Sequence, residues 1–326
     1  MPSALPTLAE LESAAESVYK VMPPTPQYRW PLLDARCGAE VWVKHENHTP
    51  TGAFKVRGGL VYLAHLRRTQ PDVAGVVAAT RGNHGQSVGF AARRFGLRAT
   101  VVVPTGNSVE KNAAMRALGV ELIEEGHDFQ ASLEAATEIA RTRGWHFLPT
   151  YDRMLIAGVG TYALELYRAV PELETIYVAI GQGSGICGVL AARDALGLRT
   201  AVVGVVSAEA PAYALSLAAG GRVVSHEVTT RISDGLACRT PNADALAMIA
   251  GRIERVVQVS DDAVEAAMRA LFRDTHNVAE GAGAAGLAAV LGEPDVVRGR
   301  RVGVILSGGN VDGSVYGRVL ENGRAA

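Results

Sequence analysis

Cysteine is scarce: the 326-residue chain has three, Cys37, Cys187 and Cys238, far apart in sequence. That excludes a disulfide framework, and without metal-type Cys/His spacing it argues against a zinc site; buried, reduced thiols are expected. Net charge is also missing. With 32 basic and 33 acidic residues the formal charge is -1, so no overall field draws the chain to nucleic acid or an anionic membrane. No apolar run approaches the length that spans a bilayer, and the opening MPSALPTLAELESAAESVYK carries acids where a signal peptide has a basic end and an apolar stretch. The chain reads as cytoplasmic, with a small molecule as its partner. Low-complexity segments and fixed-period repeats are absent too.

What is present is ample apolar material, 48% of residues, enough for a sizeable core and two domains. Thr7 followed by Glu10 makes a capping box, opening a helix through about Val21 that MPPTP ends. Beyond it, apolar β-rich runs (EVWVK, AGVVAAT, RATVVVP, VELIEE, TIYVAIG, TAVVGVVSA, RVVQVS, RVGVILSGG) alternate with amphipathic segments such as 128–143 and 261–275. This is an α/β pattern. Strands apolar throughout imply helices on both faces, and the uneven spacing suits two open, mostly parallel sheets better than a barrel. A smaller unit, 67–150, is expected as an insertion in a larger one made of 1–66 and 151–326.

TIYVAIGQGSGICGVLAARDAL is a strand, a glycine-rich turn and a helix, which aims backbone N–H groups at a phosphate. Gly183, Gly185 and Gly188 also satisfy G-x-G-x-x-G, with Glu209 one βα unit later. An NAD-linked dehydrogenase and a silent phosphate-binding regulator therefore stand beside a monophosphate enzyme. Two more turns follow apolar strands, where ligands collect in open α/β sheets. TRGNHGQS carries Asn83 and His84; ILSGGNVDG carries Ser307 and Asn310. Upstream, HTPTGAFKVRGG sets Lys55 among apolar and glycine neighbours, an unusual setting for a surface lysine.

The ordered set A-F-K-x-R-G, G-N-H-G-Q, G-x-G-S-G and S-G-G-N resembles the pyridoxal-phosphate-dependent threonine and serine dehydratases of fold type II, which include serine racemase. The resemblance covers nearly the whole chain. It implies pyridoxal 5'-phosphate as cofactor, held in the larger domain while the smaller closes over substrate, and a lyase converting L-threonine or L-serine to a 2-oxo acid and ammonia. Lys55 would form the Schiff base and act as base at Cα, its pKa lowered by burial, by Arg57 and by the helix it opens. Phe54 would pack on the pyridine ring and Asn83 bond its 3-hydroxyl. Gly181, Gln182, Gly183, Ser184 and Gly185 would hold the phosphate, and Ser307 would face the ring nitrogen as a neutral group. Thr80, Arg81, Gly82 and His84 would receive the substrate carboxylate, with Glu280 close behind. A homodimer or larger homo-oligomer is the family habit.

Three departures bear on function. The substrate turn has Thr80–Arg81 where the family has Ser-Ser or Ser-Ala. An arginine cannot serve as the second acid/base of a racemase, but it can pair with a carboxylate, the α-carboxylate or another; a bulkier or acidic analogue such as 3-phenylserine or 3-hydroxyaspartate, which the Thr80–Arg81 change would suit, is an alternative substrate. Glu209 matches a metal-site glutamate, yet no acid lies between Ala210 and Ser225 and Leu215 stands where the aspartate would be; no divalent metal is expected. Glu280 is followed by Gly281 instead of the usual proline. The short stretch after Asn310 leaves no room for an isoleucine-binding regulatory domain, so feedback inhibition is not expected.

Overall fold

Runs such as GVVAA (β3, Gly75–Ala79) and RVGVIL (β10, Arg301–Leu306) are apolar on both faces and nearly all buried, so they need cover on both sides. Parallel strands joined through helices provide it. The computed structural model describes residues 4–322 and has two such sheets. The larger comprises β1 (Gln27–Arg29), β2 (Glu40–His45), β10, β7 (Thr175–Ala179), β8 (Ala201–Ser207) and β9 (Arg255–Val259), in the order β1-β2-β10-β7-β8-β9. The smaller comprises β5 (Glu121–Glu124), β4 (Arg98–Val103), β3 and β6 (His146–Phe147), in the order β5-β4-β3-β6. Every pairing is parallel except β1 with β2.

The fold class expected from the sequence is therefore observed, and all eight expected strands are present. The strands β1 and β6 were not expected, because three polar residues and two residues carry no periodicity to read. Helices form at Leu8–Tyr19, behind the Thr7–Glu10 capping box, at Phe129–Arg143 and at Asp261–Thr275. The smaller sheet lies wholly between residues 75 and 147. The outermost residues of the larger proposed domain, 1–3 and 323–326, fall outside the described residues. All three cysteines are free and buried, and burial pushes their thiols up to about 11 for Cys37 and about 12 for Cys187 and Cys238. Among the described residues no helix is long and apolar enough to cross a membrane.

The helix Lys55–Thr69 positions the site, and glycines let it pack backbone to backbone. A Cβ at Gly158, on the helix Arg153–Ala169, would meet the Arg57 carbonyl oxygen at 2.5 Å, and one at Gly59 would meet Ser87 Oγ at 2.2 Å. Ser87 Oγ in turn donates to the Lys55 carbonyl at 2.6 Å. The side chain of Arg57 anchors the same helix turn from behind. Its guanidinium is fully buried, pairing with Glu46 at 2.7 Å and Glu165 at 2.6 Å and donating to Thr161 at 2.9 Å. Buried Lys44 shares Glu165 at 2.6 Å and also donates to the Thr25 carbonyl. Two cations and two carboxylates thus balance in one dry network.

Arg57 was expected to depress the Lys55 amine. The structure corrects this: its charge is taken up by Glu46 and Glu165, and burial, not Arg57, lowers the Lys55 pKa. Glu165→Ala should strand Lys44 and Arg57 with one carboxylate between them. Urea unfolding should show a loss of roughly 3–5 kcal/mol, as for a broken buried pair; a loss below about 1 kcal/mol, the size of an exposed pair, would contradict the network's role.

Candidate active site

Four turns meet at the carboxyl ends of β2, β3, β7 and β10, where the topology leaves a cleft between the sheets. Backbone bonds lock the first to the last: Phe54 N donates to the Ser307 carbonyl at 3.0 Å, Gly309 N to the Gly52 carbonyl at 2.9 Å, and Ala53 bridges Gly308. Asn310 Nδ2 reaches both the Thr51 carbonyl at 2.8 Å and Asn83 Oδ1 at 2.9 Å. One cavity is lined by Phe54, Lys55, Thr80, Arg81, Gly82, Asn83, His84, Gly181, Gln182, Gly183, Ser184, Gly185, Glu280 and Ser307. Every residue singled out from the sequence for the site therefore lines a single cavity.

Lys55 is the first residue of its helix, and its Nζ donates to Ser184 Oγ at 3.0 Å across the cavity. Among the described residues it has no carboxylate partner, and burial pulls its pKa from 10.5 to about 8. The Phe54 ring lies under the ammonium, 4.8 Å to the centroid, and stands edge-on to Tyr162. Facing Lys55 is the loop after β7. Gly181 and Gly183 are required there: a Cβ at Gly181 would meet the Gly235 carbonyl at 2.2 Å, and Gly183 adopts φ 97° as N-cap of the helix Ser184–Ala195. At Gly185 a Cβ would have no contact closer than 3.7 Å, so this side of the loop has room. Free N–H groups at a helix start, a buried hydroxyl and space between them and an amine make an anion cradle. That donor set fits a phosphate-bearing aldehyde cofactor, with Lys55 to bond its carbonyl carbon and the 181–185 loop to hold its phosphate.

Asn83 and His84 begin the helix Asn83–Arg94. Asn83 Nδ2 donates to Glu280 Oε1 at 2.5 Å, so the amide is oriented from both ends. His84 is 6% exposed; burial, then the charge of Lys55, hold its pKa down at about 3, so the ring is neutral. Ser307 is buried and donates at 3.5 Å to the Ala282 carbonyl. No acid accompanies it in the cavity wall except Asp234 and Glu280, both engaged elsewhere.

Lys111, missed in the sequence as Asp234 was, engages both. Lys111 Nζ lies 2.7 Å from Asp234 and 3.0 Å from Glu280. Burial opposes its charge, but Glu280 and Asp234 outweigh burial and raise its pKa. The Glu280 carboxyl is pushed up by burial, against the pull of Lys111. The Lys111 stem also crosses Gly82, where a Cβ would meet its Cδ at 2.4 Å. In the sequence this lysine sits in SVEKNAAMRA and reads as one more helix-surface charge. Glu209, the metal-site match, accepts from Ser207 Oγ at 3.0 Å, and among the described residues no cluster of His, Cys, Asp and Glu is arranged to hold a metal.

A part-buried lysine amine opposite a glycine-built anion cradle, at the carboxyl ends of two mostly parallel sheets, defines a fold type II pyridoxal-phosphate enzyme. The chain belongs to the pyridoxal-phosphate dependent enzyme family, whose sequence pattern matches residues 18–308, and its cofactor is pyridoxal 5'-phosphate. It is 35% identical to an L-threonine ammonia-lyase of Thermotoga maritima over 97% of this chain and 79% of that protein. It is 32% identical to the catabolic L-threonine dehydratase TdcB of Escherichia coli over 96% of this chain and 94% of that one. A crystal structure of a T.th. threonine deaminase superposes with TM-score 0.87 at 31% identity, covering 94% of this chain and 99% of that chain. The dinucleotide reading of the 183–188 glycines and the silent-regulator reading are set aside by this membership.

Amine-directed labelling of the cofactor-free protein should track the Lys55 titration. Below its pKa the amine is protonated and unreactive, so the labelling rate should rise through a midpoint near pH 8. A midpoint at the ordinary lysine value, about 10.4, would show the amine to be solvated.

Proposed function

We propose that the protein is a pyridoxal-phosphate lyase that dehydrates and deaminates a 3-hydroxy amino acid, with L-threonine or L-serine as the starting candidates, to a 2-oxo acid and ammonia. The observation that carries this reading is the Lys55 amine bonded to the Ser184 hydroxyl in the cavity that the 181–185 loop lines, in a chain whose relatives are named threonine ammonia-lyases and dehydratases. When bound, the cofactor draws electrons from the Cα of the amino acid joined to it. The chain's residues do the rest.

Near pH 8 a substantial fraction of Lys55 is neutral, so Nζ can take the Cα proton. The loop Gly181–Gly185, with Gln182 and the Ser184 hydroxyl, would hold the phosphate, and Phe54 would form one wall. Asn83, fixed by Glu280 and Asn310, would present its amide to the ring's hydroxyl. Ser307 would offer the ring nitrogen a neutral hydroxyl, which does not keep that nitrogen protonated and would favour prompt loss of the β-hydroxyl, leaving as water in balance with the proton taken from Cα. Thr80, Arg81, Gly82 and His84 receive the substrate. His84 stays neutral near pH 8 and so adds no positive charge beside the amine. No divalent metal is assigned a part, and we read the protein as a cytoplasmic homo-oligomer.

The reading is checked by incubating the holoenzyme with L-threonine and L-serine and measuring 2-oxo acid and ammonia together. Equal amounts of the two products should appear, and Lys55→Ala should lower kcat by about 10²-fold or more, the scale of a lost general base. A Lys55→Ala variant that binds cofactor and retains full turnover would contradict it.

A further inference from the structure

We propose that Arg81 receives a second carboxylate, so that the preferred substrate is a 3-hydroxy amino acid carrying an acidic group on its β-carbon. This rests on the lyase reading above and names the substrate class of the same site. Arg81 lines the cavity, yet among the described residues it makes no hydrogen bond or ion pair, and its Nε is buried without a partner. A guanidinium cannot shed its charge to relieve this, as a lysine or histidine can.

The charges in the cavity wall single it out. The cations are Lys55, Arg81 and Lys111, and the acids are Asp234 and Glu280. Both acids are bound to Lys111, at 2.7 and 3.0 Å. Lys55 faces a hydroxyl and can become neutral. Of the three cations, Arg81 alone keeps its charge without a hydrogen bond or ion pair to an acid of the wall among the described residues.

The other anions expected in the cleft have places of their own. The cofactor phosphate has the 181–185 loop. The substrate α-carboxylate has the first turn of the helix Asn83–Arg94, whose opening N–H groups lack partners by helix geometry. Gly82 N–H is not among them, since it donates to Thr80 Oγ1 at 2.9 Å. A methyl or hydrogen at the β-carbon, as in threonine or serine, leaves the Arg81 fork unpaired. A carboxylate there offers two oxygens in the plane the fork requires. Beside it, His84 Nε2 is a further buried nitrogen without a partner in the same wall.

The test is the ratio of kcat/KM for threo-3-hydroxyaspartate to that for L-threonine, in the holoenzyme and in its Arg81→Ala, Arg81→Ser and Arg81→Lys variants. Retention of the cofactor's visible absorption confirms that each variant is assembled. The wild-type ratio should favour the dicarboxylate by about tenfold or more. Alanine and serine should lower the ratio by about 10- to 100-fold, mostly through KM, the range of a lost charged hydrogen bond, and lysine should recover part of it. Parallel losses on both substrates would assign Arg81 to the α-carboxylate, and kcat/KM values unchanged on both would make it a solvated residue. A wild-type preference for 3-phenylserine would favour an apolar β-pocket. Each of these three results overturns the proposal. Should no 3-hydroxy amino acid be turned over, the lyase reading fails, and binding decides Arg81 separately. L-Aspartate should then shift the holoenzyme's visible spectrum at lower concentration than L-alanine, an advantage lost in Arg81→Ala; equal binding would overturn the assignment.

Discussion

An ammonium without a counter-charge is the constraint on which the site depends. Burying a cation costs several kcal/mol unless it is paired, and a lysine can avoid that cost by giving up its proton. Lys55 is placed to do so near pH 8: among the described residues its amine has the Ser184 hydroxyl as its polar contact, and burial brings its pKa to about 8. Two residues along the same helix, Arg57 meets the opposite treatment, with two carboxylates that hold it charged. The network behind the helix holds Glu46 and Glu165 on Arg57 and Lys44, and it fixes the turn from which Lys55 projects.

Around that amine the two sheets divide the work. The larger contributes the glycine loop, Ser307, Asp234 and Glu280; the smaller contributes the turn Thr80–His84 and Lys111. Lys111 spans the cleft between them and ties the substrate turn, over Gly82, to the acid that orients Asn83. A further link is Ser108, which caps the Lys111 helix and donates to Asp312. The turn Thr80–His84 and the residues of the larger sheet are thereby registered against each other by charge pairs and side-chain hydrogen bonds.

Much of this was legible because it is written in local pattern. Apolar β-branched runs such as RATVVV announced parallel strands, and the turns after β3, β7 and β10 announced the cavity, since a sheet of this topology gathers ligands at those ends. Thr7 and Glu10 gave the first helix its start. What stayed hidden depends on contacts distant in sequence. Arg57 stands two residues from Lys55 and looked like its electrostatic neighbour, but the acids that capture it, Glu46 and Glu165, come from a short turn and from a helix far along the chain. Lys111 and Asp234 are 123 positions apart, and neither has a local pattern that distinguishes it from a solvated charge. The strands β1 and β6 are recognisable only by the partners they pair with.

The central claim, that the amine of Lys55 is the one the fold keeps reactive toward the cofactor, is tested most directly by reducing the holoenzyme with borohydride, digesting it and locating the cofactor by mass spectrometry. The account predicts one modified peptide, bearing the label on Lys55. A label on Lys111 or Lys44 instead, or cofactor released intact after reduction, would contradict it.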